Sequence, residues 1–105
     1  MWYTASLLFK GLHLIEPPLT PIWEETIVLV EAENEVDAKA TAEGIGKSEE
    51  HEYHVSEPQR HLLRWVFVQV ERTCAVEGEP TGGTELFSRF LRQSTVESLL
   101  KPFEE

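Results

Sequence analysis

The sequence has a single cysteine, Cys74, so no disulfide can close within one chain. A lone thiol suits a reducing compartment, and the cytoplasm is the expected setting. Basic residues are scarce. Nine Lys and Arg stand against nineteen Asp and Glu, for a formal net charge of −10. That balance argues against nucleic acid, whose phosphates need Lys and Arg to displace counterions. It argues equally against anionic membrane surfaces. No apolar run approaches the roughly 20 residues that cross a bilayer. The opening residues, MWYTASLLFKGLHLIEPP, lack a basic stretch and a cleavage site of the usual form, and are not read as a signal peptide.

The 105 residues are 41% hydrophobic and 27% charged, enough for one globular core and too few for two. The expectation is one domain over residues 1–105. The acidic excess is uneven: residues 31–60 hold nine acidic and three basic residues. Such a surface favours solubility and fits a basic protein partner.

Residues 2–10, WYTASLLFK, read as a strand that can run on to Leu14. Prolines 17, 18 and 21 break it, because proline cannot join a ladder interior. Residues 22–32 return as a second strand, most simply antiparallel to the first. Asn34 has the form of a helix N-cap, with Glu35 and Asp37 at the positive end of the helix dipole. That helix is expected to reach about Ile45, with Val36, Ala40 and Ile45 facing inward. A short strand is expected around Glu52–Ser56 and a long one over residues 62–76. A helix is expected over Thr84–Gln93, with Leu86, Phe87, Phe90 and Leu91 on its apolar face. Ser94 and Glu97 have the spacing of a capping box, so a separate short helix should begin there and end before Pro102. The order is strand-strand-helix-strand-strand-helix. It predicts an α+β fold with a mostly antiparallel four-stranded sheet and helices on one face. The order is also a circular permutation of the ferredoxin-like one.

Strand alternation sharpens this picture. Trp23, Ile27 and Leu29 share one face of the second strand, and Val28 and Val30 the other. In the long strand, Leu63, Trp65 and Phe67 are expected opposite Val66, Val68 and Val70. In the first, Tyr3, Leu7 and Phe9 oppose Trp2 and Leu8. Both faces are thus apolar, and two helices can cover only one of them. Self-association through the other face, as a two-fold dimer, is the expectation. The competing expectation is that the C-terminal tail and the proline loop wrap it.

The segment Trp23-Glu24-Glu25 places a carboxylate on each face of a strand. Opposite faces are a poor arrangement for an acid–base pair that must flank one substrate. One of the carboxylates binding a cation or a basic group from elsewhere, such as Arg64 or Arg89, is the more natural role, and the alternative is a solvated strand end at the rim of the sheet. Arg89 and Arg92 should also pair with Glu85 on the helix. His51 and His54 lie among Glu49, Glu50 and Glu52, but on a strand they point apart, and the spacing is not that of a helical zinc motif. Cys74 has no base beside it in the sequence and reads as a packed thiol. Gly82-Gly83-Thr84 lacks the lysine and spacing of a phosphate loop and reads as a turn and cap. No catalytic residue, cofactor or metal ligand is assigned. Trp23, Glu24, Glu25, Trp65, Glu85 and Arg89 are the candidate binding or interface residues.

Several segments together resemble the bacterial domain-of-unknown-function family numbered 4288. They are Trp2–Phe9, Trp23–Val30, the helix with Ala38 and Ala40, Leu63–Val70 and Gly83–Phe90. The resemblance implies a small, cytoplasmic, stand-alone bacterial domain. It implies no activity and no catalytic residue. The leading functional expectation is a non-enzymatic module that binds itself or a protein partner. One form of it is an antidote that masks a basic toxin, since acidity steers such a target. The alternative is a small-ligand sensor or enzyme with a cleft near Glu24, Glu25 and Arg89.

Overall fold

Four strands and two helices follow one another in the expected order in the computed structural model, which describes residues 1–101. The strands are β1 (Trp2–Leu14), β2 (Ile22–Glu31), β3 (His51–Val55) and β4 (His61–Val76). The helices are α1 (Glu35–Ser48) and α2 (Gln93–Leu100). The sheet runs β2-β1-β4-β3, and every neighbouring pair is antiparallel. The fold is α+β. The likeness to the ferredoxin-like arrangement stops at element order. Strands β2 and β3, joined by α1, lie at opposite edges and run antiparallel, so there is no split parallel β-α-β unit.

Asn34 caps α1 as expected: its side-chain Oδ1 accepts from the Asp37 backbone N–H at 2.9 Å. The helix runs past Gly44 and Gly46 to Ser48. Its buried residues are Ala38, Ala42 and Gly46, four apart on one face. Val36 and Ala40 point outward, contrary to expectation, and only Ile45 of the expected three lies against the core. The reason is steric. Leu7, Phe9, Trp65 and Phe67 fill the space above the sheet, so only the smallest helix stripe can come close. A Cβ on Gly46 would lie 2.4 Å from Phe67 Cδ1.

The register of β1 on β2 is unbroken from Trp2–Glu31 to Gly11–Ile22. That of β1 on β4 shifts twice, between Ser6 and Leu7 and between Leu8 and Phe9. The shifts leave Val68 and Glu71 without partners on β1, as β-bulges do. Simple alternation therefore fails in β4. Val70 joins Trp65 and the partly buried Phe67 on the helix-covered face and is buried there, rather than sharing a face with Val66.

Downstream of β4 the expectations fail more widely. Residues 84–92 form no helix. Gly83, with φ 87°, and the Thr81–Thr84 hydrogen bonds make a turn with no helix behind it. Helix α2 starts one residue early, with Arg92 at its cap position and no side-chain cap bond, so Ser94 does not play the capping role. The expectation of helices on one face holds for α1 alone. Helix α2 packs against none of the other elements. The radius of gyration is 16.9 Å, against roughly 13 Å for a compact chain of this size.

Candidate functional site

The two sheet faces are chemically different. Under α1, Ala5, Leu7, Phe9, Leu63, Trp65 and Val70 form a buried cluster with Ala42. Tyr3, Val30 and Ala38 continue it toward the other end of the helix. Trp65, one of the candidate binding or interface residues, belongs to this core. It stacks over Gly11 and donates its indole N–H to the Tyr53 hydroxyl at 3.1 Å.

The opposite face carries the candidate site. Register places Trp2, Thr4, Ser6 and Leu8 of β1 there, beside Glu31, Leu29, Ile27 and Glu25 of β2. On the other flank lie Val76, Cys74 and Arg72 of β4. Thr4 and Ser6 are buried. What buries them is the extended chain after the Gly83 turn. Thr4 Oγ1 donates to the Leu86 carbonyl at 2.8 Å, and the Arg72 guanidinium lies 4.4 Å above the Phe87 ring. A buried hydroxyl without a partner is costly, so the Thr4 bond also fixes the path of this segment.

Glu24 and Glu25 do lie on opposite faces, paired with Phe9 and Leu8 respectively. Glu25 Oε2 accepts from Ser6 Oγ at 2.5 Å and forms an ion pair with Arg72 at 3.5 Å. The Ser6 hydroxyl does most to hold its carboxyl below the ordinary value of 4.5. Arg72 and the charge of Arg89 add to this, against an opposing effect of partial burial. The basic partner that the sequence reading sought is therefore chiefly Arg72. Arg64 pairs instead with Glu52 at 2.8 Å. Among the described residues the ion pairs are these two, and Glu85 does not pair with Arg89 or Arg92, because the helix that would have aligned them is absent. Glu24 accepts a long bond from Thr26 on the α1 side. Glu85 is exposed and lines a depression with Ala75, Glu77 and Thr84.

Trp23 sits at the start of β2, 51% exposed, with the Lys10 ammonium 5.3 Å from its ring centre. Ile27 and Leu29 follow it on the same face, also exposed. Beyond Phe87 the chain leaves the sheet. Leu86 and Leu91 are exposed, Phe90 wholly so, and Leu99 and Leu100 of α2 as well. Of the six candidate residues, the structure brings Trp23 and Glu25 onto one face, with Arg89 near enough to act on Glu25. It does not bring Trp65, Glu24 or Glu85 to them.

Ser6, Arg72 and Phe87 were missed in the sequence. Thr4 and Ser6 did leave a trace, as two polar residues alternating in an otherwise apolar strand. Nothing local marked Arg72. The structure also pairs His13 with His61, ring nitrogens 2.8 Å apart, again without a sequence signal. The His61 Nδ1–H donates to the Gln59 carbonyl, which leaves its Nε2 facing the Nδ1 of His13. His51 and His54 point to opposite faces as expected, and no group of three or more His, Cys, Asp or Glu suited to a metal occurs among the described residues. Among them, too, no helix is long and apolar enough to cross a membrane.

No curated protein and no solved structure matches the chain. A family model does match, over residues 2–88, which takes in the whole sheet, α1 and the first residues that cross the open face. The chain thus belongs to the family described as Domain of unknown function (DUF4288).

Proposed function

We propose that this protein is a non-enzymatic binding module that self-associates through the sheet face opposite α1. The observation that carries the reading is the exposure of Trp23, Ile27 and Leu29 on one face of an edge strand with an unbroken register, Ile27 next to Leu29 and Trp23 set apart from them by Glu25. Contiguous exposed apolar residues on a small protein mark contact surfaces. The edge itself is open as well: β2 has a neighbour on one side only. Glu25, the carboxylate nearest this stripe, is already engaged by Ser6 and Arg72, so it serves the surface as a fixed charge. The setting we propose is the cytoplasm of a bacterium. The lone cysteine fits the compartment, and the family resemblance fits the source.

A basic protein is the natural second partner, since the net charge is −10 and such a charge accelerates encounter with a positive surface. An antidote-like role would follow from that chemistry. The primary test is the native mass of the purified protein at micromolar concentration. A dimer that Ile27→Asp converts to a folded monomer supports the reading. A wild-type monomer overturns it.

A further inference from the structure

We infer that the occupant of the β2 stripe is the C-terminal arm of a second copy of this chain, residues 88–100, exchanged across a two-fold axis. The inference rests on the self-association reading and names the segment that performs it. Three observations meet here. First, the arm's packing and hydrogen-bond contacts with its own body end at Phe87, and beyond it only the charge of Arg89 reaches back, toward Glu25. Beyond that, Phe90 is fully exposed and α2 touches no other element. A helix of eight residues without a side-chain cap is too short to persist alone in water, where about 12–15 residues are already marginal. Its order calls for a surface outside its own fold.

Second, the body offers such a surface beside the arm. Trp23, Ile27 and Leu29 remain exposed on the very face that the arm begins to cross. The apolar residues of arm and stripe are each other's natural cover.

Third, the charges are complementary. Residues 1–83 hold fifteen acidic and six basic residues, whereas residues 84–105 hold four acidic and three basic, and within residues 88–100 Arg89 and Arg92 stand against Glu97 alone. Two acidic bodies repel each other, but the arm of one is attracted to the body of the other. On the stripe's face Glu25 and Glu31 flank Ile27 and Leu29, and on the arm Arg89 and Arg92 flank Phe90 and Leu91. A two-fold makes each chain donor and acceptor at once, so one contact made twice covers both apolar surfaces.

The test uses the full chain in a Cys74→Ser background. Leu29→Cys and Phe90→Cys are made as separate proteins, mixed, and oxidised gently. A mixed covalent dimer should form severalfold faster than between Leu29→Cys and Val36→Cys, whose site lies on the outer side of α1. Leu99→Ser with Leu100→Ser should shift the wild-type mass toward monomer, with the sheet still folded by circular dichroism. The arm exchange is overturned if the mixed disulfide shows no excess. It is overturned too if one chain carrying both Leu29→Cys and Phe90→Cys closes its bond as a monomer. If either occurs while Ile27→Asp still dissociates a wild-type dimer, the self-association reading stands and only the arm is wrong. A wild-type monomer removes both.

Discussion

The two faces of the sheet are built by opposite rules. Beneath α1, large sheet residues meet the smallest residues of the helix, and Ala5, Leu7, Ala38 and Ala42 are completely shielded from water. On the other face, hydroxyls and an ion pair take the centre, Val76 is buried at one end, and Trp23, Ile27 and Leu29 lie exposed along the β2 edge. The first arrangement maximises dispersion contact and excludes water. The second joins Ser6, Glu25 and Arg72 in a polar lock, ties Thr4 to the Leu86 carbonyl, and leaves apolar area exposed. The sheet's two margins differ in the same sense. Where β4 runs beyond β3 it carries two bulges, and Glu50 accepts from the Phe67 backbone N–H at 2.9 Å. Bulges and edge carboxylates discourage strand addition. The β2 margin has no bulge along its length.

The comparison breaks most directly at Leu7. Leu7→Ala should cost about 3 kcal/mol in urea unfolding, whereas Ile27→Ala, on the open face, should cost the folded monomer under about 1 kcal/mol. Equal losses would mean that the two faces are equally packed. Next come the two glycines of α1. Gly46→Ala forces a Cβ into the Phe67 ring and should destabilise by about 2 kcal/mol. Gly44 faces open space, so Gly44→Ala should stabilise by about 0.5–1 kcal/mol through helix propensity. A Gly46→Ala protein as stable as wild type would show that the helix does not sit this close.

The smallest effect belongs to the polar lock. The folded protein holds the Glu25 carboxyl below 4.5, chiefly through Ser6. Its unfolded chain therefore binds the proton more readily. The stabilisation is present above that ordinary value and disappears as pH falls through the lower folded one. Glu25 and Arg72 are both more than a third exposed, so the gain is under about 1 kcal/mol after solvent screening. Glu25→Gln should lower the urea midpoint slightly at neutral pH, and the gap should close in acid. A gap that widens in acid would reverse the assignment.

Strands β1, β2 and β4 were legible because each is a local run rich in apolar, β-branched and aromatic residues bounded by prolines or turns, whereas the short polar β3 left only a weak trace. The start of α1 was legible because Asn34 and Asp37 make their bond within three residues. The inward stripe of α1 was not. Alanines at 38, 40 and 42 look alike until a sheet selects among them. Of the candidate site, Trp23 and Glu25 were visible as residues out of keeping with their strand. Their partners were not, since Arg72 lies 47 positions away from Glu25.

By itself, then, the sequence determined where strands begin and end, how α1 is capped, and that apolar residues line both sides of the sheet. These depend on neighbours within a few positions. Only the tertiary structure decided the rest. It put two bulges in β4 that carry Val70 to the α1 side. It also drew residues 84–92, which have helical spacing, out into an extended path. There the Thr4 hydroxyl, 82 positions from Leu86, and the Arg72 guanidinium above Phe87 hold the chain in a shape that local propensity does not favour. Propensity differences of a few tenths of a kcal/mol per residue yield to such contacts once a buried hydroxyl needs its partner.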